Sequence, residues 1–248
     1  MVITKYSVSA PIREELRFAF VSDIHNADTA IVLKAIEVSR VQAVLVVGDF
    51  IHDAEDYERG LSFLKKSAML RPTFCSIGNH ERKFKGDLKP LVLETGVTLL
   101  DNAATPFHDI LIGGLSSGYP DGGEQGNMKK TPKPDLDFLQ SFSEEEGYKL
   151  LLSHHPEYFK PYIRPLSVDL TLSGHAHGGQ WRLFGIGAFA PGQGIFPRYT
   201  SGLYHGRLLV GRGLGDSHAF PPRINNAPEL IFLTLTPENN TDRKENKT

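Results

Sequence analysis

Short apolar runs rich in β-branched and aromatic residues recur along the chain. They are Leu16–Val21, Ala43–Val47, Thr73–Ile77, Lys149–Leu152, Asp169–Leu172, Leu208–Val210 and Leu230–Leu235. Runs of this length and composition predict buried strands. Between the early ones the period changes. Ala30–Arg40 carries apolar residues at positions 31, 32, 35, 36 and 38, and Tyr57–Leu70 at 57, 61, 63, 64 and 68. That spacing marks one face of a helix. Strand–helix–strand alternation predicts an α/β architecture with a parallel βαβ core. The later half has more glycine and more strand-like runs than helical ones, which predicts a second, mixed sheet.

Two segments break the pattern. Gly118–Lys133 is polar and glycine-rich and reads as a long surface loop, either a plain connection or a flap over a site. The end, Pro237–Thr248, reads as a disordered tail. No internal repeat or second boundary is visible, so residues 1–236 are expected to form one domain, within the size such domains reach. Met1–Pro11 lacks a basic patch followed by an apolar stretch, and no run is long enough to span a bilayer. Cys75 is the single cysteine, so no internal disulfide is expected. That usage suits a reducing compartment, and the expected location is cytoplasmic, with peripheral contact at a membrane. The formal net charge is −2 with no like-charge block before the tail. Broad nucleic-acid binding needs clustered Lys and Arg, so no nucleic-acid partner is expected.

Five of the apolar runs end in polar residues of one chemical kind: Ser22-Asp23-Ile24-His25, Gly48-Asp49, Gly78-Asn79-His80-Glu81, Ser153-His154-His155-Pro156 and Ser173-Gly174-His175-Ala176-His177. In open α/β sheets the carboxyl ends of the strands form the ligand crevice, so these clusters are expected to meet. Asp gives an anionic oxygen, Asn a neutral one and His a nitrogen, a set that suits Mn, Fe or Zn better than Ca. Residues i and i+2 of an extended chain face one side, so Asp23 and His25 share a cavity, as do His175 and His177. Glycines before Asp49, Asn79 and His175 are expected to let the backbone turn sharply. Asp23, His25, Asp49, Asn79, His154, His175 and His177 are more ligands than one cation with room for substrate needs. Two cations sharing a carboxylate use them all, and paired metals are the usual clamp for phosphoryl displacement.

The ordered set SDIH, GD, GNHE, SHHP and GHAH resembles the calcineurin-like metallophosphoesterase family. The continuation His177-Gly178-Gly179-Gln180 resembles a bacterial phosphodiesterase branch with GHxHGGQ. Gly211-Arg212-Gly213-Leu214-Gly215, Pro222-Arg223 and Pro228-Glu229 extend that likeness. The resemblance implies a four-layer αββα sandwich with the site where the loops of two sheets meet. It also implies roles: Asp23, His25 and His177 on one divalent metal, Asn79, His154 and His175 on a second, Asp49 between them, and His80 beside the leaving oxygen. His154 is chosen over His155 as the ligand. Asn26-Ala27 stands where the family usually has a glycine two residues after the first motif's histidine. Phe50-Ile51-His52-Asp53 replaces the Asp-Arg-Gly of protein phosphatases, so protein phosphatase activity is not expected.

The expected reaction is hydrolysis of a phosphodiester or pyrophosphate by a hydroxide bridging the metals. Two divalent cations, two carboxylates and that hydroxide leave about one positive unit to attract the substrate. His80, if protonated, supplies the departing oxygen with a proton. The substrate is expected to be small or lipid-linked, and Arg182, Arg212 and Arg223 are candidates for phosphate contact. The apolar stretch Trp181–Phe189 is either strand packed in the second sheet or an apolar wall or membrane-contacting lip. The alternatives are a catalytically inactive scaffold of the same fold that binds protein partners, and a nuclease or cyclic nucleotide phosphodiesterase.

Overall fold

A computed structural model of the chain describes residues 1–25, 27–53, 56–118, 131–215 and 223–238. The strands are β1 Val2–Ala10, β2 Leu16–Val21, β3 Ala43–Val47, β4 Thr73–Ser76, β5 Thr98–Leu100, β6 Ala103–Phe107, β7 Ile110–Leu115, β8 Tyr148–Ser153, β9 Leu170–Ser173, β10 Arg182–Leu183, β11 Ile186–Gly187, β12 Phe189–Ala190, β13 Gly194–Ile195, β14 Gly202–Tyr204, β15 Leu208–Val210 and β16 Glu229–Pro237. The helices are α1 Ala30–Val38, α2 Glu58–Leu70, α3 Leu88–Leu93 and α4 Leu136–Glu144.

Among the described residues two six-stranded sheets form, in the orders β1-β16-β2-β3-β4-β5 and β14-β15-β9-β8-β7-β6. Strands β2, β3, β4 and β5 run parallel, as do β7, β8, β9 and β15. The second sheet is mixed as expected, with β6 and β14 antiparallel at its edges. The first is mixed too, because β16 returns antiparallel to β2.

Side-chain alternation explains the layers. Every residue of β3 is buried, as a strand covered on both faces requires. Leu45 and Val47 point to a core shared with Ile112, Leu150, Leu152, Leu170 and Leu172 of the second sheet. Val44 and Val46 point the other way, to Val32 and Ile36 of α1, Phe63 and Leu64 of α2 and Val92 of α3. Leu139 and Phe142 of α4 pack with Leu151, Leu208 and Val210 on the outer face of the second sheet. Helix, sheet, sheet and helix therefore stack as four layers.

Several expected features differ in detail. The tail was expected to begin at Pro237, which instead closes β16; residues 239–248 lie outside the described residues. Most of the proposed 118–133 loop, residues 119–130, also lies outside them. The stretch Trp181–Phe189 does not join the second sheet. Its strands form separate ladders, β10 with β11 and β12 with β13.

Candidate metal centre

The carboxyl ends of β2, β3 and β4 in one sheet and of β8 and β9 in the other come together at one rim. Backbone bonds lace them: Asp23 N–H to Gly48 O at 3.2 Å, Gly174 N–H to His154 O at 3.1 Å and Ser117 N–H to Ile77 O at 2.9 Å. Crossing between the sheets, the His175 N–H donates to Asp23 Oδ1 at 3.0 Å.

The backbone at this rim is unusual. Asp23, His25, Asp49, His175 and His177 have φ of 48°, 48°, 52°, 62° and 44°. Non-glycine residues rarely occupy the left-handed region, and such outliers gather at functional sites. Two of the three glycines serve a different purpose from the one expected. Gly48 does turn at φ +67°, but Gly78 and Gly174 are needed for space. A Cβ on Gly78 would lie 2.2 Å from Asp49 Oδ1, and one on Gly174 would lie 2.5 Å from Asp23 Oδ2.

All seven sequence-derived ligand candidates stand at this rim, six of them buried and Asn79 half-buried. Asp23, His25 and His177 each bring a donor atom within 4.8 Å of the others, and Asp49, His154 and His175 do the same. Asp49 Oδ2 lies 3.1 Å from His154 Nε2, 3.9 Å from His25 Nε2 and 3.8 Å from His80 Nε2. Asp23 Oδ1 lies 3.4 Å from His177 Nε2 and 3.8 Å from His154 Nε2. Asp49 therefore stands between the two groups. His154 faces it, whereas His155 turns to Glu157 Oε1 at 3.2 Å and to the Ser117 hydroxyl.

Ring tautomers follow from neighbouring carbonyls. His154 Nδ1 lies 2.9 Å from Val47 O, and His25 Nδ1 lies 3.2 Å from Ile51 O. A carbonyl accepts only from N–H, so in both rings Nδ1 holds a proton; Nε2 of His25 offers its lone pair, and Nε2 of His154 does so once its own proton leaves. His80 Nδ1 donates to His52 O in the same way. Its side chain is 27 % exposed against 2 % for His25 and 0 % for His154, which places it at the mouth.

Burial sets the charge states. It pushes His25 down to about 3, with the Asp49 charge opposing and the His80 and His177 charges assisting. It also pushes His177 down to about 3, helped by the Arg223 guanidinium, and holds His175 well below the ordinary imidazole value. His154 goes the other way. Burial would lower it, but the adjoining Asp49 charge carries it up to about 10. Asp49 is likewise pushed up by burial, yet His154, His80 and His25 together hold it well below the usual carboxylate range.

Sequence reasoning left three nearby residues without a role. Glu81 is buried and accepts from three backbone N–H groups: Gly78 at 2.7 Å, Asp49 at 2.8 Å and Ile51 at 3.0 Å. Glu157 approaches His155 and lies 3.8 Å from His175 Nε2. Lys83 lines a cleft with Asn79, Arg82, His155 and His175; burial pushes its ammonium down and the Asp49 charge pulls it back up. The one available signal was that Glu81 and Lys83 lie within three residues after Asn79-His80.

The three candidate phosphate arginines have other partners. Arg182 donates to Gly178 O at 2.7 Å and to Gly185 O, bracing a hairpin. Arg212 pairs with Glu229 at 3.1 Å. Arg223 donates to Arg212 O at 2.7 Å and to Gly215 O, and its Nη2 lies 3.4 Å from His177 Nδ1. Only Arg223 touches a ligand candidate directly.

Two stacked mixed sheets with a rim of Asp, Asn and His fit the metal-dependent phosphoesterase class. The chain belongs to the calcineurin-like phosphoesterase family, whose model matches residues 16–179. It is 30 % identical to phosphodiesterase YaeI of Escherichia coli (strain K12) over 77 % of this chain and 69 % of that protein. An uncharacterized metallophosphoesterase of Helicobacter pylori (strain ATCC 700392 / 26695) is 27 % identical over 91 % of this chain, which spans only 61 % of that protein. The uncharacterized metallophosphoesterase YkuE of Bacillus subtilis (strain 168) is 28 % identical over 86 % of this chain and 74 % of its own length.

Proposed function

We propose that the chain is a dinuclear metal-dependent phosphodiesterase acting on a small or lipid-linked phosphodiester or pyrophosphate. In this reading Asp23, His25 and His177 hold one divalent cation, Asn79, His154 and His175 hold a second, and Asp49 is shared. The observation that carries it is the position of Asp49 Oδ2, within 3.9 Å of Nε2 atoms from both groups. The donor set fits Mn, Fe or Zn.

Buried polar atoms support that fit. Asn79 Oδ1 and His25 Nε2 are buried without a hydrogen-bond partner, and buried polar atoms are almost always paired. His154 Nε2 meets Asp49 at 3.1 Å without hydrogen-bond alignment. Metal uptake releases protons from such groups, and a cation in place of the His154 proton leaves the Asp49 charge compensated.

When bound, the cation pair supplies Lewis acidity, which attracts an anionic ester and makes water a usable nucleophile near neutral pH. The protein's own groups do the rest. Val47 O and Ile51 O fix two rings so that their lone pairs face inward. The Glu81 carboxylate holds the Asp49 backbone in its left-handed turn. Lys83 and Arg82 line the cleft through which an anionic substrate approaches. His80, the most exposed of the rings around Asp49, presents Nε2 to the departing oxygen and donates to it when the ring carries a second proton. General-acid help of this kind is worth about 10²–10⁴ in rate. The phosphodiester preference is supported by the name of the Escherichia coli relative.

The test is metal content beside hydrolysis of bis(p-nitrophenyl) phosphate in Mn²⁺. Asp49→Asn is expected to lose both metals and turnover, and His80→Ala to keep its metals while slowing. The reverse pattern overturns the role assignment.

A further inference from the structure

Next to the metal centre stands a surface that the hydrolytic reading does not use. After the turn at His177–Gly179 the chain makes two small hairpins, β10–β11 and β12–β13. They join through Ala188, whose carbonyl accepts from Phe196 N–H at 2.9 Å. They are seated on the metal-centre turn, with Ala188 N–H donating to Gly179 O at 3.0 Å.

Their outer positions are apolar and open to solvent. Phe184 is 95 % exposed, Phe196 78 %, Ile195 74 %, Leu183 67 % and Ile186 63 %, with Trp181 at the base 44 % exposed. Phe184 and Phe196 both sit at φ +51°. Left-handed backbone disfavours a bulky L-residue by about 1–2 kcal/mol, where glycine or asparagine would fit without strain. At Phe184-Gly185 the turn between Leu183 and Ile186 has φ of +51° and +83°, the arrangement that ordinarily selects Asn-Gly. A strained position occupied by an outward-facing phenyl ring points to a use for that ring.

Charge identifies the occupant. The whole chain has 29 acidic and 27 basic residues, yet from Leu170 to Gly215 there is no Asp or Glu. Arg182 and Arg198 fall within or next to the hairpins, and Arg198 is exposed beside Phe196. Apolar side chains on protruding turns, a tryptophan at their base and local positive charge fit an anionic lipid bilayer. No helix among the described residues is long and apolar enough to cross a membrane.

We propose that the two hairpins insert Phe184 and Phe196 into the surface of an anionic membrane, which sets the mouth of the metal centre against the lipid headgroups. This goes beyond the hydrolytic reading and does not need it.

The full chain is mixed with phosphatidylcholine vesicles with and without phosphatidylglycerol, and followed by sedimentation and by fluorescence of Trp181, the single tryptophan. Binding to the anionic vesicles with a blue shift, weakened by salt, is expected. Asn keeps the left-handed turn, so Phe184→Asn with Phe196→Asn is expected to stay folded and to lose about tenfold in partitioning per ring. Hydrolysis of soluble bis(p-nitrophenyl) phosphate is expected to match the parent, which separates failure of docking from failure of the active-site reading. No vesicle binding or no shift by the parent overturns the proposal, as does full binding by the double variant. Self-association of the parent, abolished in the variant and without vesicle binding, assigns the surface to a second copy and also overturns it.

Discussion

Glu81 offers a quantitative handle on how the rim is held. Its two oxygens accept from the N–H groups of Gly78, Asp49 and Ile51 at 2.7, 2.8 and 3.0 Å, so one carboxylate ties the end of β4 to the end of β3. Replacing it with alanine leaves three buried donors without acceptors. Each such donor costs about 1–3 kcal/mol, or roughly 3–9 kcal/mol in total if nothing relaxes. Against this, burial and then the neighbouring Asp49 charge push Glu81 up to about 7, so removing it relieves an unfavourable charge. A net loss of about 3 kcal/mol is expected, equivalent to roughly 6–12 °C in Tm for a chain of this size. Asp49 also loses its anchor, so metal affinity is expected to fall about 10–100-fold, as for other outer-shell partners. Thermal unfolding by circular dichroism and Mn²⁺ titration calorimetry measure the two effects. Glu81→Gln, which keeps one acceptor oxygen, is expected to fall between. If Glu81→Ala melts with the parent and binds Mn²⁺ equally well, the three bonds do not hold the rim and the reasoning fails.

Two further outcomes follow from packing at the same rim. Gly174→Ala places a methyl group 2.5 Å from Asp23 Oδ2 and 2.6 Å from Ser22 Cβ; overpacking of this kind costs about 1–3 kcal/mol, and metal content is expected to drop with stability. A Gly174→Ala protein with unchanged metal content contradicts the close approach. Cys75 is fully buried in the first sheet, where burial pushes its thiol up and Glu81 adds to the effect. Ellman's reagent is therefore expected to react with it only at the rate of unfolding, and rapid labelling of the folded chain would show that β4 is open.

The strands that carry the metal centre were readable because they are buried on both faces and so appear as unbroken apolar runs, as in Ala43–Val47. β1 was not. Its residues alternate between exposed and half-buried, and its partner β16 lies at the other end of the chain, so no local signal marks the pairing. The segment Ile110–Leu115 was passed over as well, because Gly113 and Gly114 interrupt its apolar character. Those glycines are needed for space: a Cβ on Gly113 would meet the Phe142 ring at 2.6 Å, and one on Gly114 would meet Leu100 O at 2.2 Å. At the candidate metal centre the residue types that gather at the rim, and their order, were legible, since a metal site constrains residue identity. The contribution of Glu81 was not, because it acts through the backbone of residues about thirty positions away. The left-handed turns at Asp23, His25, Asp49, His175 and His177 were equally hidden, since each residue is chosen for its side chain and is held in place by the rest of the fold.

The central claim is that one shared carboxylate, Asp49, organises two cations. Its most direct test is the number of metal ions per chain after reconstitution with Mn²⁺, counted by plasma mass spectrometry, with electron paramagnetic resonance of the same sample. Two ions per chain with a spin-coupled spectrum, both lost in Asp49→Asn, is the expected result. A single uncoupled ion per chain, or two that survive Asp49→Asn, contradicts it.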